Sequence, residues 1–467
     1  MSHSGPWESL VLPIKNLAKD WKGIISQFWQ RNALIDVSVR LQMLGGALLL
    51  LYAALFPLAS DYADTAKKLL VVLTFWVLFT RGRNWLNSPV GWFFAASLLV
   101  QVLSWVGMLV EHPSWAESSP KLHRLGQWFL FAAIACWLGG STRNTLILWL
   151  TALIAILLAP WIAGGGFSEW AYGAMGQRVE FGFHNAQHTA IIFGVALLGL
   201  AVFSKRIFNY SGLLSVPSLA WAVAVGICAL AVLYSQTRAI WFAIAISLFA
   251  LLIVYVVVVF RKPGKGIWLR LLSWGAVIGV AIIALWVKVG DVVIKRLGLE
   301  RSTVDALLSG NLESIPYSSI GVRIHSWHAA VNWIAERPFL GWGGKGRRLV
   351  IQNLQDMPPE FRNSIGHLHN SYLDLLVNYG FLGALVWGAF NCWLFLAAYK
   401  SWRKGFLPGD FFLFYIGFMI LWLIANCFES YLFYSSGHFI FGIVVAGIAT
   451  HIFRSKSTPE QGRAVSE

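Results

Sequence analysis

Long apolar runs separated by short polar breaks dominate this chain. They fall near 41–59, 66–80, 89–110, 122–140, 144–163, 187–204, 218–236, 239–260, 266–288, 380–400, 409–427 and 433–453. An α-helix needs roughly 20 apolar residues to cross the hydrocarbon core of a bilayer, and most of these runs approach that length. The pattern predicts an all-α polytopic membrane protein of about twelve spans, the second and sixth being the shortest. One polar interval, residues 289–379, interrupts the rhythm between the ninth and tenth spans. Within it the periodicity predicts an amphipathic helix over 291–308, ended by Gly310-Asn311. A second helix, capped by Ser318 or Ser319, is expected to run to Arg337, where Pro338 stops it. Its apolar stripe is Ile320, Ile324, Trp327, Val331 and Ile334, with Arg323 one position away. The interval closes on His369-Asn370, which opens another helix, and Gly380 offers a C-cap or a kink before the next span.

Composition supports the membrane reading. The 467 residues are 57% hydrophobic and only 12% charged, against about 25% charged in soluble domains. The net charge of +15 fits the basic inner loops and anionic surfaces of membranes better than nucleic acid. No zinc-ligand spacing, basic-aromatic RNA motif or P-loop is present. Cys136, Cys228, Cys392 and Cys427 all fall inside apolar runs and read as small buried residues. Residues 1–33 lack the apolar core of a cleavable signal peptide. There Leu17, Trp21, Ile24 and Phe28 repeat at helical spacing against Lys15, Lys19 and Lys22, as in a helix lying on a membrane surface; a soluble tail is the alternative.

Short-loop charge sets the expected orientation. Arg81 and Arg83, Arg143, Lys205 and Arg206, the group from Arg261 to Arg270, and Lys400, Arg403 and Lys404 fall on one side. The basic N-terminus and Arg454 with Lys456 join them, and the positive-inside rule makes that side cytoplasmic. The chain then divides into a cytoplasmic segment 1–33, spans one to nine over 34–288, a large outer loop 289–379, spans ten to twelve over 380–453, and a cytoplasmic tail 454–467. Arg178 and Arg238 lie in or beside short outer loops, against the charge rule. Such exceptions are either functional or anchors reaching for lipid headgroups.

The outer face is rich in arginine and histidine: Arg178, His184, His188, Arg238, Arg323, His325, His328, His367 and His369. Its carboxylates Glu180, Asp374 and Glu429 are scattered, which gives little support to two-carboxylate catalysis. Histidine is the natural base near neutral pH, and arginine grips phosphate through a planar fork. At a helix start, His369 is either base-competent and neutral or a hydrogen-bonded structural residue. The run Gly341-Trp342-Gly343-Gly344-Lys345-Gly346-Arg347-Arg348 reads either as a backbone nest for phosphate or as a plain loop.

His369-Asn370, nine residues, Gly380, two residues and Gly383 together resemble the motif of the bacterial O-antigen ligase family: His, then Asn, Ser or Gln, nine residues, Gly, two residues, and Gly, Thr or Tyr. Thr237-Arg238 leading into a span, and Arg323 in the long loop, resemble that family's two arginines. The likeness is topological over most of the chain and residue-level at these three islands. It implies a GT-C-like glycosyltransferase with twelve spans and one large periplasmic loop, in a bacterial inner membrane with both termini cytoplasmic. It implies transfer of a glycan from undecaprenyl pyrophosphate, the donor, to lipid A–core oligosaccharide, the acceptor. On that reading His369 is the catalytic base, and Arg238 and Arg323 bind the donor pyrophosphate. Arg178 and His367 are candidates for lipid-headgroup or acceptor contacts. No metal, nucleotide or other cofactor is called for. An O-antigen polymerase or a protein O-oligosaccharyltransferase would use the same donor. A lipid flippase would need ionisable residues deep in the spans and paired halves, and the sequence displays neither.

Overall fold

A computed structural model describes residues 29–80, 87–211, 215–261, 301–308, 315–355 and 357–457, with the single positions 290 and 298. The expected surface helix before residue 29, the ninth span at 266–288, most of 291–300 and the tail beyond 457 lie outside the described residues. Every regular element among them is helical. In chain order these are α1 (Val39–Leu58), α2 (Ser60–Thr80), α3 (Pro89–Glu111), α4 (Leu130–Leu138), α5 (Thr142–Ile162), α6 (Phe167–Ala174), α7 (Ala186–Ser211), α8 (Val216–Tyr234) and α9 (Arg238–Arg261). In the loop follow α10 (Arg301–Leu308), α11 (Gly321–Glu336), α12 (Gly346–Gln352) and α13 (Pro359–Ser364). The chain then ends on α14 (Ser371–Arg403), α15 (Gly409–Ala425) and α16 (Ser435–Ser457).

Among the described residues eight helices, α1, α3, α5, α7, α8, α9, α14 and α16, are long and apolar enough to cross a membrane, so this is a multi-pass membrane protein. Local chemistry sets their starts. Ser38, Ser88, Ser141 and Ser215 each cap a helix by accepting a backbone N–H from the first turn, two of them with proline at the opening positions.

Three expected spans come out differently. Helix α2 is long enough but carries Asp61, Asp64, Lys67 and Lys68 in its first half. The run 122–140 is broken into a single turn at His123–Gly126, a 3-10 turn at Gln127–Phe129, and α4. Buried Gln101 repairs that break, donating to Leu122 O and accepting from Leu125 N, both at 3.2 Å. Helix α15 is apolar but has 17 residues.

Helix α16 is the axis of the bundle, with 94% of its apolar window buried. Small residues let its neighbours approach: a Cβ on Gly447 would meet the Trp149 ring at 2.3 Å. This is how membrane helices pack, where lipid is as apolar as leucine and only close contact favours association.

Polar and ring contacts join loop segments at the two ends of the bundle. At one end Arg206 pairs with Asp410, Arg454 donates to Gly140 O at 3.1 Å, and Ser401 donates to His451 O. At the other, Arg337 pairs with Glu111 at 3.3 Å, and Trp115 stacks on Trp333 of α11. The described loop helices sit at this second end, where α11 and α12 share a small core with Met108 and Leu368.

Candidate active site

The His-Asn motif becomes legible residue by residue. Asn370 is the N-cap of α14; its side-chain oxygen accepts from Tyr372 N at 3.0 Å and Leu373 N at 3.2 Å. Ser371 bolts this helix start to the turn after α15, donating its backbone N–H to Asn426 O at 2.8 Å, with its hydroxyl 2.9 Å from Glu429 O. Gly380 is a kink with φ 61° inside α14, where Phe381 N reaches Pro338 O at 2.7 Å. The helix opened by Asn370 and the tenth span are therefore two helices joined across a kink within α14, with the expected boundary at 380 falling on the kink. Gly383 leaves room for Tyr379, whose Cβ would lie 2.6 Å from an added methyl.

Leu368, fully buried between the two histidines, is pinned by its backbone. Its N–H donates to Asp374 Oδ1 at 3.1 Å, and its carbonyl accepts from Trp327 Nε1 of α11 at 2.7 Å. His367 and His369 thus share a side, and both face Glu429. His367 Nε2 lies 2.7 Å from Glu429 Oε1, and His369 Nδ1 lies 2.9 Å from Oε2. Ser430 N also donates to Oε1 at 2.8 Å, and the Tyr434 hydroxyl sits 3.0 Å from His367 Nδ1. Among the described residues His369 Nε2 has no hydrogen-bond partner, and the side chain is 22% exposed.

Electrostatics follow from this packing. Burial pushes Glu429 up, but the hydrogen bonds from His367 and His369 outweigh it and hold the carboxyl well below its usual range. Burial lowers His369 in turn; Glu429 opposes that, while His367 and Arg323 push the same way. Burial and Glu429 raise Tyr434 to about 12, so it stays a hydroxyl.

The other expected residues fall around this cluster. Arg323, in the first turn of α11, is near enough to act on both His369 and Tyr431, and Arg178 also acts on Tyr431. Arg178 Nε donates to Ser235 O at 3.0 Å, on the turn that presents Arg238 at the head of α9. Arg238 connects to the cluster in steps: Thr237 donates to Ala186 O, Tyr431 donates to Gln187 O, and His188 packs edge-on to Tyr434. His184 lies beside the same tyrosine. His367, expected as a candidate acceptor contact, has both ring nitrogens engaged within the protein. His325 is turned away onto Ile315 O and Tyr317.

Among the described residues four non-glycine residues have positive φ, and three of them, Phe181, Gln236 and His369, lie in segments that border this site. Such conformations cost on the order of 1–2 kcal/mol each and persist where surrounding contacts impose them.

The glycine-rich loop is a structural element. Trp342 N donates to Val377 O, Gly343 N to Ser104 Oγ, and Arg347 N to Asn378 Oδ1, so these amides are spent within the protein. Arg347 instead reaches the fully buried Asp374 at 2.9 Å and lies over the Phe433 ring. Breaking a buried pair costs about 3 kcal/mol or more. Asp374→Asn is therefore expected to lower the unfolding temperature measurably in detergent and to slow turnover by loosening Leu368. Thermal unfolding followed by tryptophan fluorescence, beside a rate measurement, checks both.

Sequence reasoning set Glu429 aside as a scattered carboxylate and missed its histidine partners, as well as Tyr434 and the Arg347–Asp374 pair. For Glu429 a signal existed: a lone carboxylate in a short loop between two apolar spans is costly unless partnered. His367, His369 and Glu429 also place three metal-type donor atoms within 4.8 Å. Here these donors satisfy one another by hydrogen bonds.

Residues 223–388 match the family model described as O-antigen ligase. No curated protein matches the sequence. The matched stretch runs from α8 through the long loop into α14 and contains Arg238, Arg323, His367 and His369, while Arg178 and Glu429 lie outside it. Motif and match agree over this stretch, which is similar to the O-antigen ligase family.

Proposed function

We propose that this protein joins O-antigen glycan to lipid A–core oligosaccharide, taking the glycan from undecaprenyl pyrophosphate at the periplasmic face of a bacterial inner membrane. The observation that supports the reading is His369 held by Glu429 where the long loop enters α14, inside the matched stretch, with Arg323 close enough to act on its charge. His369 Nε2 takes the proton of an acceptor sugar hydroxyl. The oxygen attacks the anomeric carbon, the bond from that carbon to the pyrophosphate oxygen breaks, and the configuration inverts. Arg238 and Arg323 meet the charge that grows on the leaving pyrophosphate, an interaction stronger in the transition state than before it. Arg178 supports a lipid headgroup. No step calls for a metal or nucleotide.

A reconstituted reaction tests this: purified protein, undecaprenyl-pyrophosphate glycan and lipid A–core, with a chelator present, resolved by gel mobility. Glycosylated lipid A–core is the expected product. A lengthened lipid-linked glycan instead would move the assignment to a polymerase, and neither product from folded protein would remove the transferase reading. Arg238→Lys keeps the charge but loses the bidentate fork, and is expected to slow transfer by at least about tenfold, the scale of one charge-assisted hydrogen bond. Unchanged transfer would reduce Arg238 to a membrane anchor.

A further inference from the structure

We infer that Glu429 is a positioning residue that locks the tautomer of His369, with His367 and Tyr434 holding Glu429 in place. The inference rests on the proposed role of His369 as base and supplies what that role lacks, a reason for its lone pair to face the substrate.

The geometry admits one arrangement. Glu429 is 2% exposed at its side chain and, as a carboxylate, can only accept hydrogen bonds. Each contacting group must therefore present a hydrogen: Ser430 N–H and His367 Nε2–H to Oε1, and His369 Nδ1–H to Oε2. A neutral His369 with its hydrogen on Nδ1 has its lone pair on Nε2, the atom without a partner among the described residues. When Nε2 takes the acceptor's proton, the ring becomes an imidazolium whose charge faces a carboxylate already 2.9 Å away. That attraction exists after proton transfer and not before it, so it favours the step itself. His367 completes the support. Its Nδ1 accepts from the Tyr434 hydroxyl, which leaves Nε2–H aimed at Glu429. Tyr434 is in turn packed by His184 and His188.

The charged and titratable groups facing His369 are Glu429, His367 and Arg323, and those facing Glu429 add Tyr434, Tyr431 and His188. Of these Glu429 is the anion.

Glu429→Gln isolates the effect. Ser430 N–H requires an oxygen at the Oε1 position, so the amide nitrogen must face His369 and donate to Nδ1. That inverts the ring and leaves a hydrogen on Nε2. The expected result is a fall in kcat of roughly four orders of magnitude, the scale by which an acid-to-amide change that inverts an imidazole tautomer slows a serine protease. KM for the lipid-linked donor is expected to hold, and the acid limb of the kcat–pH profile to move to lower pH because the anion that raises His369 is gone. A purely structural role would lower folded protein and leave that limb in place. Glu429→Gln with wild-type kcat and an unmoved acid limb, while His369→Ala is inactive, would overturn the inference and leave the base intact. An active His369→Ala would instead remove the base reading beneath it. Should Glu429→Gln not fold, 15N-histidine NMR of the wild-type protein in nanodiscs decides, with His369→Gln assigning the resonance. Protonated Nδ1 and bare Nε2 are expected; the opposite tautomer overturns the proposal.

Discussion

Glycan transfer by the His369→Ala variant is expected to fall by at least about three orders of magnitude, with the protein still folded in membranes. Loss of a general base typically costs 10²–10⁴-fold. Here it would also strip Glu429 of one of its two histidine hydrogens, leaving a buried carboxylate held by His367 and Ser430 alone. The fold should survive, since Leu368 remains pinned by Asp374 and Trp327, and Asn370 still caps α14. Removing the side chain at φ 50° also takes away no backbone hydrogen bond. The wild-type pH profile carries the same argument. Burial lowers His369 from its ordinary value near 6.5. The neutral ring is the base, so transfer should be flat through neutrality and decline only as pH falls through that lowered value. Initial rates of the reconstituted reaction across acid pH, for wild type and variant in equal amounts, measure both. Activity in His369→Ala within tenfold of wild type would remove His369 as base.

The fold was legible wherever one helix alone decides the matter. Apolar length placed α1, α3, α5 and α14, and Pro338 follows the end of α11 as expected; the N-cap of α11 is Ile320 rather than Ser318 or Ser319, although Ser318 Oγ accepts from Gly321 N at 3.2 Å. Periodicity failed where a partner from elsewhere decides. The run 122–140 reads as a span because the buried Gln101 that lets it break lies on another helix. The site divides the same way. His369, Asn370, Gly380 and Arg323 were readable because they stand in local patterns. Glu429 lies 60 residues beyond His369, after both α14 and α15, and nothing near it in sequence announces a histidine partner. His367 was read as facing a ligand because its two partners, Glu429 and Tyr434, are equally remote. The glycine-rich loop left a phosphate nest and a plain loop both open for the converse reason: glycine spacing reports freedom of the backbone, not what its amides bind.

Gly380→Ala is expected to be strongly damaging for a single-methyl change. Two independent constraints meet at this position. Its φ of 61° with ψ −164° is a region that L-residues avoid, and an added Cβ would lie 2.3 Å from the backbone carbon and oxygen of Phe339 and 2.6 Å from Pro338 O. Neither constraint can relax by turning a side chain, because the obstructing atoms are main chain. Backbone shift at 338–339 would break the bonds from Phe381 N to Pro338 O and from Leu382 N to Phe339 O. Those bonds join the end of α11 to the bend in α14, and so fix the distance between Arg323 and His369. The strain alone costs about 1–2 kcal/mol, and two lost hydrogen bonds in a water-poor region add about 1 kcal/mol each. The sum, on the order of 3–4 kcal/mol, is a large share of a typical folding stability. Monodisperse protein recovered from detergent-solubilised membranes is expected to fall sharply, and whatever remains should transfer glycan slowly. Gly388→Ala is the control, since a Cβ there meets no atom within 4 Å and the bend is untouched. Equal yield and activity for the two variants would mean that the bend at Gly380 is not what holds the loop helices over the base.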